Sequence, residues 1–137
     1  MWWIYALLSA LFAALTAIFA KIGIKGVDTN LATAIRTVVI LVLAWGIAFF
    51  NGSISTISTL TRQNFLFLCL SGIATGLSWI FYFKALQLGK VSQVAPVDKM
   101  SVAIAIILAV IFLGEPLTLK TVVGALLIIG GTFVLIF

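Results

Sequence analysis

Histidine is missing from this chain, cysteine occurs once, and carboxylates occur only three times, as Asp28, Asp98 and Glu115. Neither a nucleophile–base pair nor a metal-ligand cluster can be assembled from so few groups, which argues against an enzyme and against any cofactor. Cys69 has no second cysteine to pair with, and inside an apolar run it reads as a small packing residue. Charge of either sign is scarce, at 8% of 137 residues, where a soluble domain carries about a quarter. Eight Lys/Arg against three Asp/Glu leave a net +5, yet the bases are scattered singly. With no cluster to follow a phosphate backbone, a nucleic-acid partner is a poor reading. What fills the chain instead is apolar, at 64% of residues. Too little polar surface is left to cover a water-soluble globule, so this is an integral membrane protein.

A helix needs roughly 20 apolar residues to cross a hydrocarbon core about 30 Å thick. Five stretches meet that length: residues 2–20, 31–50, 65–83, 91–113 and 120–137. Unbroken apolar runs of this kind do not fit a closed β-barrel, and backbone groups in lipid must be satisfied within the segment. The expected fold is therefore an all-α integral membrane protein with five transmembrane helices, residues 1–137 forming a single domain. The first stretch lacks the basic start of a signal peptide and reads as a retained helix. In the loop before the third span, Ile54, Ile57 and Leu60 are spaced in threes, which suits either a short interfacial helix or a disordered polar loop.

One side of the membrane receives Lys21, Lys25, Lys84 and Lys90; the other receives Arg62 and Lys120. The positive-inside rule places the four-lysine side in the cytoplasm, with the N-terminus outside. The bias is weak enough that insertion in both orientations is a second expectation. Close packing of small residues holds membrane helices together, and Gly72 and Gly76 form a G-x-x-x-G on the third span, flanked by Ser71, Thr75 and Ser78. These positions are read either as contacts within the bundle or as contacts between chains.

Ionisable residues at membrane depth are functional candidates because each costs about 2.5–3.5 kcal/mol at the bilayer centre. Counting 1.5 Å per residue from one face, Arg36 lies roughly 8 Å deep and Asp98 roughly 12 Å deep. They are expected to pair across the second and fourth spans, with Lys99 turned away by about 100°. Pro96 admits two readings. Either it breaks the fourth helix and opens a deeper half with Asp98 in its first turn, or the span starts there and Asp98 complements the dipole. Under the second reading Lys99 and Arg36 snorkel to the headgroups. Trp79, Phe81, Tyr82 and Phe83 crowd the end of the third span. They form an interfacial belt, or Trp79 and Tyr82 face a cavity and hold an organic substrate.

Three stretches carry a resemblance to a known family: Ala85-Leu-Gln-Leu-Gly-Lys-Val-Ser-Gln-Val-Ala-Pro96 with Asp98-Lys-Met-Ser101, Phe112-Leu-Gly-Glu-Pro116, and Gly124-Ala-Leu-Leu-Ile-Ile-Gly-Gly131. Together they resemble the EamA-like repeat of the drug/metabolite transporter superfamily. In this pattern Gly114 can close the fourth helix and Glu115-Pro116 turn the chain into the fifth. The resemblance implies a secondary active transporter, an exporter of a small organic metabolite or drug-like molecule, in the bacterial inner membrane. Typical members carry two such repeats inserted in opposite orientations; this chain has one, and is expected to be completed by antiparallel dimerisation. As the carboxylate at membrane depth, and not through the family motif, Asp98 is the candidate for proton coupling, with Lys99, Arg36, Trp79 and Tyr82 as substrate or ion ligands. The alternative is a partner-dependent membrane subunit, such as half of a heterodimeric lipid-carrier flippase, inactive alone.

Overall fold

The computed structural model describes residues 1–137 and contains only helices. Helix α1 spans Trp2–Gly23, α2 Thr29–Phe50 and α3 Arg62–Leu88; α4 (Val91–Asp98) and α5 (Ser101–Leu108) are followed by a π-helical turn, Ala109–Leu113, and then by α6, Leu119–Ile136. The stretch Val91–Leu113 counts as one span, so five are long and apolar enough to cross a membrane. Two compact units emerge, one of residues 20–87 and one of residues 1–19 with 88–137.

In the unit of residues 20–87, the sequence marks the start of α2 with Asp28. Its backbone is extended, and its carboxylate accepts from the amides of Asn30 at 2.9 Å and Leu31 at 3.0 Å. Two of the four orphan amides of the helix start are satisfied this way. Thr29 and Thr33 are buried, and the Thr33 hydroxyl donates to the Thr29 carbonyl at 2.8 Å, so burial leaves it no unmet bond. The loop between α2 and α3 is a 3-10 helix, Ser53–Thr59, entered through Gly52 at φ 70°. At three residues per turn Ile54 and Ile57 fall in one row that Leu60, the C-cap, continues, so the loop is a short helix and not a disordered polar stretch.

Helix α3 runs past Lys84, where the apolar run stops, to Leu88. The helix outlasts the apolar run because residues 84–88 continue it amphipathically. Leu86 is 0% exposed, and Gln87 Nε2 donates to the carbonyls of Val27 at 3.0 Å and Ile24 at 3.3 Å. Lys21 Nζ donates to the Leu86 carbonyl nearby. The buried residues of this unit, Ala20, Ile24, Thr29, Thr33, Phe83 and Leu86, all lie where the end of α1, the start of α2 and the end of α3 meet. The opposite half of α3, including Gly72 and Gly76, is not buried, and a Cβ added at either glycine would meet nothing within 4 Å.

In the other unit, α6 packs along both α4 and α5. Its N-cap Thr118 accepts from the Thr121 amide at 3.2 Å. The π-helical turn ends at Gly114, whose φ of 67° is left-handed and reverses the chain at little cost for glycine. The Ala109 carbonyl accepts from the amides of both Gly114 and Glu115, closing the wide turn.

Candidate functional site

The fourth span is discontinuous, but not where proline alone predicts. Pro96 lies inside α4, which begins at Val91 with the amides of Gln93 and Val94 bonded to the Lys90 carbonyl. The interruption falls at Lys99–Met100. There the backbone stays right-handed but the bonds tighten: Lys99 N–H is shared between Ala95 at 3.3 Å and Pro96 at 3.1 Å, and Met100 N–H to Val97 and Val102 N–H to Lys99, both at 3.0 Å, reach three residues back. Proline forfeits one bond to Ser92, early in a short helix, and the tightening follows one turn later. Asp98 accordingly sits in the last turn of α4, correcting both readings that placed it in a first turn. There it faces the negative end of the helix dipole, and Lys99 is the residue that complements that end.

Asp98 and Lys99 form an ion pair, Nζ to Oδ2 at 3.5 Å, with side chains 36% and 58% exposed. Sequence spacing set Lys99 apart from the partner of Asp98; in the structure Lys99 is that partner. The flexible four-carbon stem spans the 100° offset between adjacent helical residues.

Sequence reasoning missed Thr132. This hydroxyl, on a residue 3% exposed, is shared between the carbonyl of Ile128, one turn back at 2.8 Å, and that of Pro96 at 3.2 Å. The α6 helix thus covers a carbonyl at the interrupted part of the span. The available signal was Gly130-Gly131 next to a lone threonine, since small residues let one backbone approach another. Thr132→Val keeps the shape and removes the donor, so the variant is expected to lose about 1 kcal/mol of stability. Unfolding in mixed detergent micelles checks this, and an unchanged midpoint would show the contact to be idle.

In the unit of residues 20–87, α2 and α3 bring Arg36 together with two of the predicted aromatics. The guanidinium carbon lies 4.3 Å from the ring centre of Phe83 and 5.0 Å from that of Trp79. Trp79, Tyr82 and Phe83 have the i, i+3, i+4 spacing of one helix face, whereas Phe81 points away and is 71% exposed. Tyr82 lies against Phe83, centroids 5.9 Å apart. Phe81 faces outward, whereas Phe83 is wholly buried under the arginine and is not part of an exposed belt. Phe83 was visible in the sequence only as one of a crowd; its role depends on α2.

Arg36 is held by ring faces, not by a carboxylate, and its Nη1 is buried with no hydrogen-bond partner. Within its own unit each charge has a neighbour, the rings for Arg36 and Lys99 for Asp98. A cation over a ring gains about 0.5–2 kcal/mol, while an unmet buried donor costs about 1–3 kcal/mol, more when charged. The box therefore holds the guanidinium without satisfying it.

Five helices long and apolar enough to cross a membrane define a multi-pass integral membrane protein. The family model for the EamA-like transporter family matches residues 1–137, and the chain belongs to that family. It is also 47% identical over 134 residues to a protein from Sinorhizobium sp described as an uncharacterized transporter in the cobO 3'region, covering 98% of this chain and 95% of that one. No solved structure matches the chain significantly. Family and relative alike make the protein a membrane transporter and point away from an enzyme.

Proposed function

We propose that the protein is a half-size secondary active transporter of the inner membrane, exporting a small organic molecule against proton uptake as an antiparallel homodimer. The observation that carries the reading is the interruption of the fourth span at Lys99–Met100, directly after Asp98. Discontinuous helices frame the ion and substrate sites of many transporters, and here the interruption places a carboxylate and a lysine side by side. Asp98 is the carboxylate whose charge is neutralised and restored in the cycle, and Lys99 is its resting partner. Arg36, Trp79 and Tyr82 supply the substrate contacts.

The dimer is supported by the small-residue face of α3, which has open space beyond Gly72 and Gly76. The relative, nearly coextensive with this chain, has room for the same five helices and no second set.

Orientation tests this. A reporter cysteine in the 3-10 helix Ser53–Thr59 and another at the C-terminus, each in a Cys69→Ser background, are labelled with an impermeant reagent from outside intact cells. Labelling of both from outside, with substrate efflux from vesicles holding this chain alone, is the expected result. Labelling of one only, with no efflux, supports instead a subunit that needs a different partner chain.

A further inference from the structure

Within residues 20–87, five basic residues (Lys21, Lys25, Arg36, Arg62 and Lys84) face a single carboxylate, Asp28. That carboxylate is already used, accepting from two amides at the start of α2. No acid of this unit is left to neutralise Arg36, and the ring faces of Phe83 and Trp79 give it attraction without accepting a hydrogen bond. The guanidinium keeps its donors in its own plane, at the edges that stacking does not touch. Nη1 is such a donor, buried and unpartnered, on a side chain that is only half-buried as a whole.

We infer that Arg36, Trp79 and Phe83 form a binding site for an organic oxyanion, a carboxylate or phosphate carried on an apolar or aromatic body. The inference rests on the transporter reading and names its substrate class. An oxyanion offers two acceptor atoms at the spacing of the guanidinium fork, making parallel charge-assisted bonds. Its approach draws the guanidinium off the rings, brings Nη1 into use and leaves the face of Trp79 to the body of the ligand. Lys84, one residue past Phe83, adds to the positive field that concentrates anions at this end of the unit. Cationic solutes are refused by the same field. A lipid phosphate offers the same oxyanion chemistry, so the test separates the two sources.

Trp79 is the reporter. In a variant with Trp2→Phe, Trp3→Phe and Trp45→Phe, reconstituted into phosphatidylcholine vesicles, its emission is followed while benzoate, phenyl phosphate or neutral benzamide is added. A saturable change with either anion and none with benzamide is expected. Arg36→Gln should abolish it, and Arg36→Lys should weaken it about tenfold, since an ammonium cannot give two parallel bonds. A response to neither anion, an equal response to benzamide, or an undiminished response in Arg36→Lys overturns the site. Replacing part of the lipid with phosphatidylglycerol decides the source. If that alone produces the change and removes the benzoate response, the arginine holds headgroups and the substrate assignment fails. Efflux from the same vesicles is scored separately. Efflux of a cationic solute with a silent Trp79 leaves the transporter reading standing and removes the anion site, whereas an Arg36-dependent response without any efflux does the reverse.

Discussion

If Asp98 couples transport to protons as proposed, Asp98→Asn is expected to remove the pH dependence of transport and to lower the rate by on the order of 100-fold, in a chain that still inserts and folds. The magnitude follows from the cost of a charge in the bilayer, about 2.5–3.5 kcal/mol, at about 1.4 kcal/mol per factor of ten. A cycle that alternately makes and cancels that charge has this much free energy to distinguish its two states; asparagine holds the site permanently neutral. The substitution is nearly isosteric and breaks only the 3.5 Å contact to Lys99 on side chains open to their surroundings, so little stability is at stake. Efflux driven by a pH gradient in vesicles, compared at equal protein content, measures it. Transport that keeps both its rate and its pH profile would remove Asp98 from the coupling and leave its position beside the interruption without a functional account. Lys99→Gln is the companion measurement. It takes away the resting partner but leaves the carboxylate, so the rate is expected to change while a pH dependence persists.

Phe83→Ala is expected to cost the most stability of any single truncation. Phe83 is 0% exposed and carries the Arg36 guanidinium on its face. In water-soluble cores such a truncation costs about 3–5 kcal/mol. The figure here belongs at the lower end, about 3 kcal/mol, because an apolar side chain that leaves a membrane core enters lipid, and the cavity term dominates. Phe81→Ala is the control: the same residue type, two positions away, on the outward face. It should change stability by no more than about 0.5 kcal/mol. Unfolding by a denaturing detergent, followed by tryptophan emission, compares the two. Equal effects would mean that the meeting point of α1, α2 and α3 is not the packed centre of its unit. The Phe83 variant should also show a changed Trp79 environment, since the guanidinium then rests on one ring.

These expectations differ in how far they could be read along the chain. Asp98 could be singled out from hydropathy alone, because a carboxylate in a 23-residue apolar stretch is conspicuous. Arg36 could be singled out for the same reason. Neither could be given its partner. Depth along a helix was legible, and it matched Arg36 to Asp98; the direction around the helix axis and the position of the neighbouring helix were not. Lys99 was set aside on helical geometry, an argument about Cβ directions that a long, flexible side chain evades. Lys84 marks the limit of the apolar run, and the buried Leu86 and the bonds from Gln87 carry α3 past it. Asp28 had the composition of an N-cap, yet in a chain so poor in carboxylates its local role gave way to a count of charges.

The sequence by itself determined that this is a membrane protein with five spans, that it belongs among EamA-like transporters, and that charge at membrane depth is confined to a few residues. Those properties are additive along the chain: a transfer free energy per residue, a run length against a fixed bilayer thickness, and turn residues at helix ends. Only the tertiary structure decided where the fourth span is interrupted, which carbonyl Thr132 covers across 36 positions of sequence, and that Arg36 rests on Phe83 and Trp79 with an unmet donor. In lipid the backbone must find its partners inside the protein. At Lys99–Met100 the amides find them within the same segment, and what the tertiary structure adds is the Thr132 hydroxyl from α6 on the Pro96 carbonyl, which no local pattern specifies.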